Sequence, residues 1–343
     1  MKLAIISPIG EKCGVSVYTS SLQQSILNLS DFSIDVISYK GYQEALYVDD
    51  RPIADKPLYD LIHFQYVPGL YPDKELFRRT IIDYPNPIII TAHHFDKFIE
   101  SLTNDISKII VHDNSFVNEP KITFMVQGCP LFDEIEDKKV LRRELAIPSY
   151  SKVIASFGFM MRWKRLDYVL QSFAPYLALN RDLFMVMIHS RHEHDEEEGI
   201  RVEKELERII NDYNISSQCM IHHTFLDKEV INKYIQASDI GILFAFDKIG
   251  SHGSSAVMKE YISGRCPVIA SDIPHYSDIN INLNAKIPAG DMTSFIYRTI
   301  DMLYNPYELD FWKRTMRRLY NKYNYDEFAK KHIEIYEAVI GEQ

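Results

Sequence analysis

Three segments combine residue types and spacings that could support group-transfer chemistry. The longest reads Ser251-His252-Gly253-Ser254-Ser255-Ala256-Val257-Met258-Lys259-Glu260, followed by Gly264 and Pro267-Val268-Ile269-Ala270-Ser271. Small residues opening a helix leave its first N–H groups available to an anion. Glu260, about a turn further in, offers a carboxylate to ribose hydroxyls, and Gly264 ends the helix. The second segment is Gly158-Phe159-Met160-Met161-Arg162-Trp163-Lys164. Two cations two residues apart at a strand end suit a diphosphate, Arg as a fork and Lys as a point charge. Surface charge ahead of a helix is an equal reading. The third, Pro8-Ile9-Gly10-Glu11-Lys12-Cys13-Gly14-Val15, places glycines at a strand-to-helix turn. Backbone N–H groups there can approach a phosphate or sugar, although a plain tight turn fits as well. It is neither GxGxxG nor a Walker motif.

Other polar residues admit two readings. His63 and Gln65, in Ile62-His63-Phe64-Gln65-Tyr66, sit at an expected strand end. They fit an acceptor-side role, against His63 as a buried, hydrogen-bonded histidine. His189, His192 and His194 could hold a metal, but Glu193, Asp195 and Glu196 beside them favour a solvated loop. No metal ligand is assigned. Phe225 and Leu226, between an expected strand and helix, could pack on a nucleobase, with Arg191 at its edge.

The elements that must position these residues are legible as short apolar runs alternating with amphipathic stretches. Residues 3–7, 34–38, 60–64, 88–92, 108–112 and 122–126 read as strands, near-continuous in apolar residues as strands covered on both faces should be. Residues 16–29 read as a helix between the first two, giving a β-α-β rhythm. A second series follows, with strands at 152–157, 183–189, 219–222, 240–244 and 267–270. Its helices are expected at 166–177, 197–213, 228–236, 255–263 and 291–304. Asp227 and Asp291 are expected N-caps, and Asn324 with Glu327 fits a capping box ahead of a last helix at 326–340. The charged stretch 133–150 reads as a linker. The expected domains are therefore 1–145, with helix 325–343 packing back on it, and 146–324.

The 343 residues carry a formal net charge of −10, which disfavours extended nucleic-acid binding. No run of 18 apolar residues occurs, and the apolar N-terminal run is too short for a signal peptide. Cys13, Cys129, Cys219 and Cys266 lie far apart without metal-ligand spacing, so reduced thiols and a cytoplasmic location are expected. Lys313, Arg314, Arg317, Arg318 and Lys322, interspersed with Phe311, Trp312 and Tyr320, could touch an anionic membrane at its inner face. A solvated amphipathic helix is the favoured reading.

The segment around Glu260 resembles the signature of family 4 glycosyltransferases, retaining enzymes of the GT-B fold. Glu260 matches the second glutamate of that pattern, which holds the donor ribose, and Gly264 with Pro267-Val268-Ile269-Ala270-Ser271 matches its remainder. Lys164, six residues after Gly158, resembles the family lysine that meets the donor diphosphate, and Gly14 a glycine of the N-terminal loop. Thr91-Ala92-His93 resembles a Thr-x-His whose histidine lies near the reacting sugar. Tyr325-Asp326-Glu327 and Tyr336 resemble a final helix crossing back onto the first domain. Three positions depart from the pattern: His252 stands for its first glutamate, Phe159 for an arginine that Arg162 could replace, and Gln127 for a histidine before Gly128.

The resemblance implies an α/β fold of two Rossmann-like doubly wound domains facing across a cleft. It implies hexosyl transfer with retention from a UDP- or GDP-type sugar to a hydroxyl of a glycan, lipid-linked or small-molecule acceptor, with no cofactor or metal. His93, Arg162, Lys164 and Glu260 are the expected catalytic residues. Gly14, Gly158, Arg191, Phe225, His252, Gly253, Ser254, Ser255, Ala256 and Val257 are expected at the donor, and His63 and Gln65 on the acceptor side. A non-catalytic donor-binding subunit, a nucleotide-sugar epimerase, and a transferase acting on a modified nucleobase are the alternatives.

Overall fold

The computed structural model describes residues 1–10, 13–40, 47–48, 51–52, 59–113, 120–132, 135–161, 164–191, 196–246, 254–276 and 285–341. The chain divides into two compact units. One comprises Met1–Gly128, Ser251–Ser254 and Tyr323–Gln343; the other comprises Cys129–Gly250 and Ser255–Lys322.

The first unit is built on β1 (Lys2–Ser7), β2 (Ser33–Ser38), β5 (Leu61–Tyr66), β6 (Ile88–Ala92), β7 (Lys108–Val111) and β8 (Ile122–Phe124). These strands form one parallel sheet in the order β2-β1-β5-β6-β7-β8. A two-residue pair, β3 (Tyr47–Val48) and β4 (Arg51–Pro52), stands apart as an antiparallel ribbon. Leu3, Ile5, Leu61, Ile62, Phe64, Ile89 and Ile90 have no solvent exposure, which is why these strands read as unbroken apolar runs. The helices are α1 (Gly14–Leu29), α2 (Lys74–Asp83) and the short α3 (Lys97–Ser101). Asp73 and Asp96 cap the last two by accepting the N–H groups of Leu76 and Ile99.

The second unit repeats the plan with β9 (Lys152–Phe159), β10 (Leu183–Ser190), β11 (Cys219–His222), β12 (Ile240–Leu243), β13 (Val268–Asp272) and β14 (Lys286–Pro288). Its parallel order is β11-β10-β9-β12-β13-β14. The chain reverses its winding between β9 and β12, so the loops following those two strands leave the same sheet edge side by side. That is where a doubly wound sheet binds ligands. The helices are α4 (Lys138–Glu144), α5 (Leu166–Leu179), α6 (Glu196–Tyr213), α7 (Lys228–Ala237), α8 (Ala256–Ser263), α9 (Met292–Tyr304) and α10 (Pro306–Tyr323). The last helix, α11 (Tyr325–Gly341), belongs to the first unit and packs on α1.

Several sequence expectations change in detail. The first unit ends at Gly128 rather than at 145, because α4 is tied into the second unit. Arg142 donates to Asp239 Oδ2 at 2.7 Å and to the carbonyls of Ala237 and Ser151, and Lys138 reaches Asp239 Oδ1 at 3.0 Å. Asp291 caps α9 through the Ser294 N–H, whereas Asp227 stands at the N-cap of α7 without a side-chain cap bond. The capping box at α11 is half formed: Asn324 Oδ1 accepts from the Glu327 N–H, but the Glu327 carboxylate turns to Lys330. In α10, Trp312 and Tyr320 are buried and Lys313 is half-buried, leaving Tyr307, Phe311, Arg314, Arg317, Arg318 and Lys322 exposed. Among the described residues, no helix is long and apolar enough to cross a membrane.

Candidate functional site

In the second unit, the loop after β9 and the start of α8 converge at the winding reversal. Gly158 has φ +133°, a conformation that side chains with a Cβ rarely adopt. A Cβ there would lie 2.2 Å from Lys164 Nζ and 3.5 Å from Val257 Cγ2. Lys164 and Val257 thus both lie against Gly158, which sets the ammonium near the opening turn of α8. Burial pulls the Lys164 pKa down to about 8. Beneath it lies a cavity of about 20 Å³ lined in part by Ser156, His189, Phe244 and Tyr276, room for one water. His189 bonds to Ser156 Oγ through Nε2 at 2.8 Å. Burial, then the Lys164 charge, hold its pKa well below the usual histidine value, so it is a neutral imidazole at physiological pH.

Ser255 caps α8 by accepting the Met258 N–H, and Ser254, Ala256 and Val257 lie beside it with partial to full exposure. One turn in, Glu260 Oε2 is buried and has no hydrogen-bond partner among the described residues. Burial pushes its carboxyl pKa up to about 7, opposed by the charge of Lys228 at the start of α7. A desolvated carboxylate oxygen without a donor is costly, and hydroxyl donors are the groups that would satisfy it. Two close approaches hold the helix in place. The Tyr261 ring covers Gly241, where a Cβ would lie 2.4 Å from it, and its hydroxyl donates to the Ala155 carbonyl at 2.9 Å. Gly264 lets Ile235 of α7 approach to 2.5 Å of the same hypothetical atom.

Phe225 follows β11, is 45% exposed and stacks on Phe159, with ring centroids 6.4 Å apart and planes 29° from parallel. The Phe159 that departs from the family pattern thus supplies half of an aromatic shelf. Arg191 is committed elsewhere: its guanidinium pairs with Glu203 and Glu196, and its stem lies against Gly199. A base-edge role would have to break those pairs. Arg162, His252 and Gly253, and the loop histidines 192 and 194, lie outside the described residues. Glu203, Glu207 and His223 come close enough to share an ion, although Arg191 already occupies Glu203.

In the first unit, His93 follows β6, and its Nε2 lies 2.9 Å from Gln65 Oε1. Burial and the nearby His112 lower its pKa to about 3. His63 and Gln65 have no solvent exposure. They are closed off from solvent and linked to His93 through Gln65. His63 Nε2 meets Thr91 Oγ1 at 2.7 Å and Gln65 Nε2 at 3.3 Å, and its Nδ1 meets the Tyr336 hydroxyl at 2.7 Å. Gly14 is the exposed first residue of α1, with open space where a Cβ would stand. The sequence reading missed the Phe159–Phe225 pair and the tie between Arg191 and Glu203. An aromatic following a strand-end glycine, and an acid two turns into the next helix, were the available signals.

By sequence, no protein-family profile and no curated protein matches the chain. Solved structures do match its fold. HepE of Anabaena superposes with a TM-score of 0.71 at 12% identity, covering 98% of this chain and 100% of that one. A glycosyltransferase from Rickettsia africae gives 0.70 at 15% identity, over 99% and 98% of the two chains. Sucrose-phosphate synthase from Thermosynechococcus elongatus gives 0.73 at 13% identity, over 100% of both. With two six-stranded parallel sheets of matching plan, the chain has the GT-B fold of these glycosyltransferases.

Proposed function

We propose that the chain is a retaining glycosyltransferase moving a hexosyl group from a nucleoside diphosphate sugar to an acceptor hydroxyl. The observation that carries this reading is the buried Oε2 of Glu260, unpartnered among the described residues, one turn from a helix start near which the Lys164 ammonium lies. A ribose hydroxyl donated to Glu260 would satisfy its carboxylate, a diphosphate would meet the Lys164 charge, and the Phe159–Phe225 shelf offers a nucleobase a face on which to stack.

As the bond from the anomeric carbon to the diphosphate breaks, positive charge grows on the sugar and negative charge on the leaving group. Lys164, Arg162 and the first N–H groups of α8 stabilise that negative charge, more strongly in the transition state than in the ground state. The departing phosphate oxygen takes the acceptor proton on the face it leaves, which retains configuration without a protein nucleophile or a metal. His93 is assigned to the reacting sugar. The acceptor is read as a bacterial glycan or lipid-linked sugar, and the exposed basic face of α10 as a contact for an anionic membrane.

HepE was solved with UDP and glucose, so a uridine diphosphate sugar is the first donor to try. Melting temperatures measured with UDP, GDP, ADP and their sugars test the reading, because a ligand at 100 times its Kd adds about 2.7 kcal/mol to native stability. Absence of any shift across the panel at millimolar concentrations would overturn it.

A further inference from the structure

From the buried chain of hydrogen bonds behind His93, we propose that Gln65 is a positioning residue. It fixes the His93 tautomer, and Tyr336 of α11 sets its orientation through His63. The role of His93 toward a sugar rests on the transferase reading above; the tautomer assignment does not.

An amide oxygen only accepts and an amide nitrogen only donates. Gln65 Oε1 lies on His93 Nε2 at 2.9 Å, so that ring nitrogen carries the proton. Gln65 Nε2 lies 3.3 Å from His63 Nε2, which must therefore be the bare nitrogen, receiving the Thr91 hydroxyl as well at 2.7 Å. The His63 proton is then on Nδ1 and is donated to the Tyr336 oxygen at 2.7 Å. His63, Gln65, Thr91 and Tyr336 are all fully buried, so water does not compete for these groups. Which nitrogen of a histidine is protonated is set by the hydrogen bond its other nitrogen makes. The outcome is that His93 presents a bare Nδ1, an acceptor for a sugar hydroxyl. Turning the amide over would reverse every assignment and leave His93 presenting N–H. The Tyr18 ring meets His93 edge-on, with centroids 4.7 Å apart, and limits ring rotation as a second constraint.

Nitrogen-15 NMR of histidine-labelled full-length protein tests this, with His93 assigned by the signal missing from His93→Gln. The wild type is expected to show His93 protonated at Nε2 alone. Gln65→Met is expected to give a mixture of tautomers. Tyr336→Phe, which removes the oxygen that accepts the His63 proton while keeping the ring, is expected to perturb His93 although it touches neither His93 nor Gln65. Turnover in Gln65→Met is expected to fall roughly tenfold or more, with donor KM within about twofold. A wild-type His93 protonated at Nδ1, or one unmoved by both substitutions, overturns the proposal. A tautomer shift in folded Gln65→Met with unchanged turnover supports the relay and instead refutes the catalytic part assigned to His93.

Discussion

Lys164 Nζ occupies the space that a side chain at Gly158 would need: a Cβ on Gly158 would lie 2.2 Å from it. The lysine could swing away, but the backbone could not relax, because φ at Gly158 is +133°. Gly158→Ala is expected to expel the ammonium and to cost roughly 1–3 kcal/mol of stability from backbone strain. Its donor-binding defect should match that of Lys164→Ala. Calorimetric titration of both variants, with chemical denaturation of the first, checks this. Wild-type donor affinity in Gly158→Ala would separate the glycine from the phosphate site.

Lys164 itself should show function and stability moving in opposite directions. Burial lowers its pKa to about 8, below the unfolded lysine value. Between the two pKa values the unfolded chain binds the extra proton, so this group's penalty is fully present below pH 8 and fades as pH rises. Lys164→Met is therefore expected to hold or raise the melting temperature at pH 7 while turnover collapses, because the charge acts as the leaving group departs. In the wild type, donor affinity is expected to weaken as pH rises through about 8 and the ammonium is lost. A flat affinity profile from pH 7 to 9 would contradict the assignment.

Glu260 follows the same logic with the opposite charge. Burial raises its pKa to about 7, so the folded state holds a proton that the unfolded state has released above about pH 4.3. Its contribution to stability falls as pH rises between those values, and the penalty is complete above pH 7. Glu260→Gln is expected to unfold no more easily than the wild type at pH 8. It should lose roughly 1.5–3 kcal/mol of donor affinity, the range for hydrogen bonds to a charged group. Unchanged affinity by titration calorimetry would remove the ribose role.

The first unit should be acid-sensitive. Burial lowers His63, His93 and His332, the last two to about 3. All three bind protons in the unfolded chain near pH 6.5 but resist them when folded. Stability from keeping them neutral is present above pH 6.5 and is lost as pH falls towards 3. Among the described residues His332 hydrogen-bonds through Nδ1 alone, to the Phe328 carbonyl, and it packs edge-on against the Phe328 ring. His332→Phe is expected to shift the acid-unfolding midpoint, followed by circular dichroism, to lower pH. An unmoved midpoint would place the acid-sensitive groups elsewhere.

Local pattern was enough to locate the elements that carry the site. The run at 183–189 reads as a strand because every residue of β10 is buried, and burial on both faces writes itself directly into composition. Gly158, Lys164, Glu260 and Gly264 could be singled out because strand-end and helix-terminal positions tolerate few residue types. What the sequence could not specify is which elements become neighbours. Nothing local says that β9 lies beside β12, yet that adjacency brings Val257 of α8 to Gly158 at the end of β9. The same holds for His63 and Tyr336, 273 residues apart and 2.7 Å from each other. His63 and Gln65 read as either site or core until α11 closed over them. Arg191 read as a residue at a nucleobase edge, and its pairing with Glu203 of α6 appears only in the fold. Periodicity records how much of a residue is buried. The partner that satisfies a buried polar group is chosen by sheet order and helix packing, through contacts remote in sequence that only the folded chain creates.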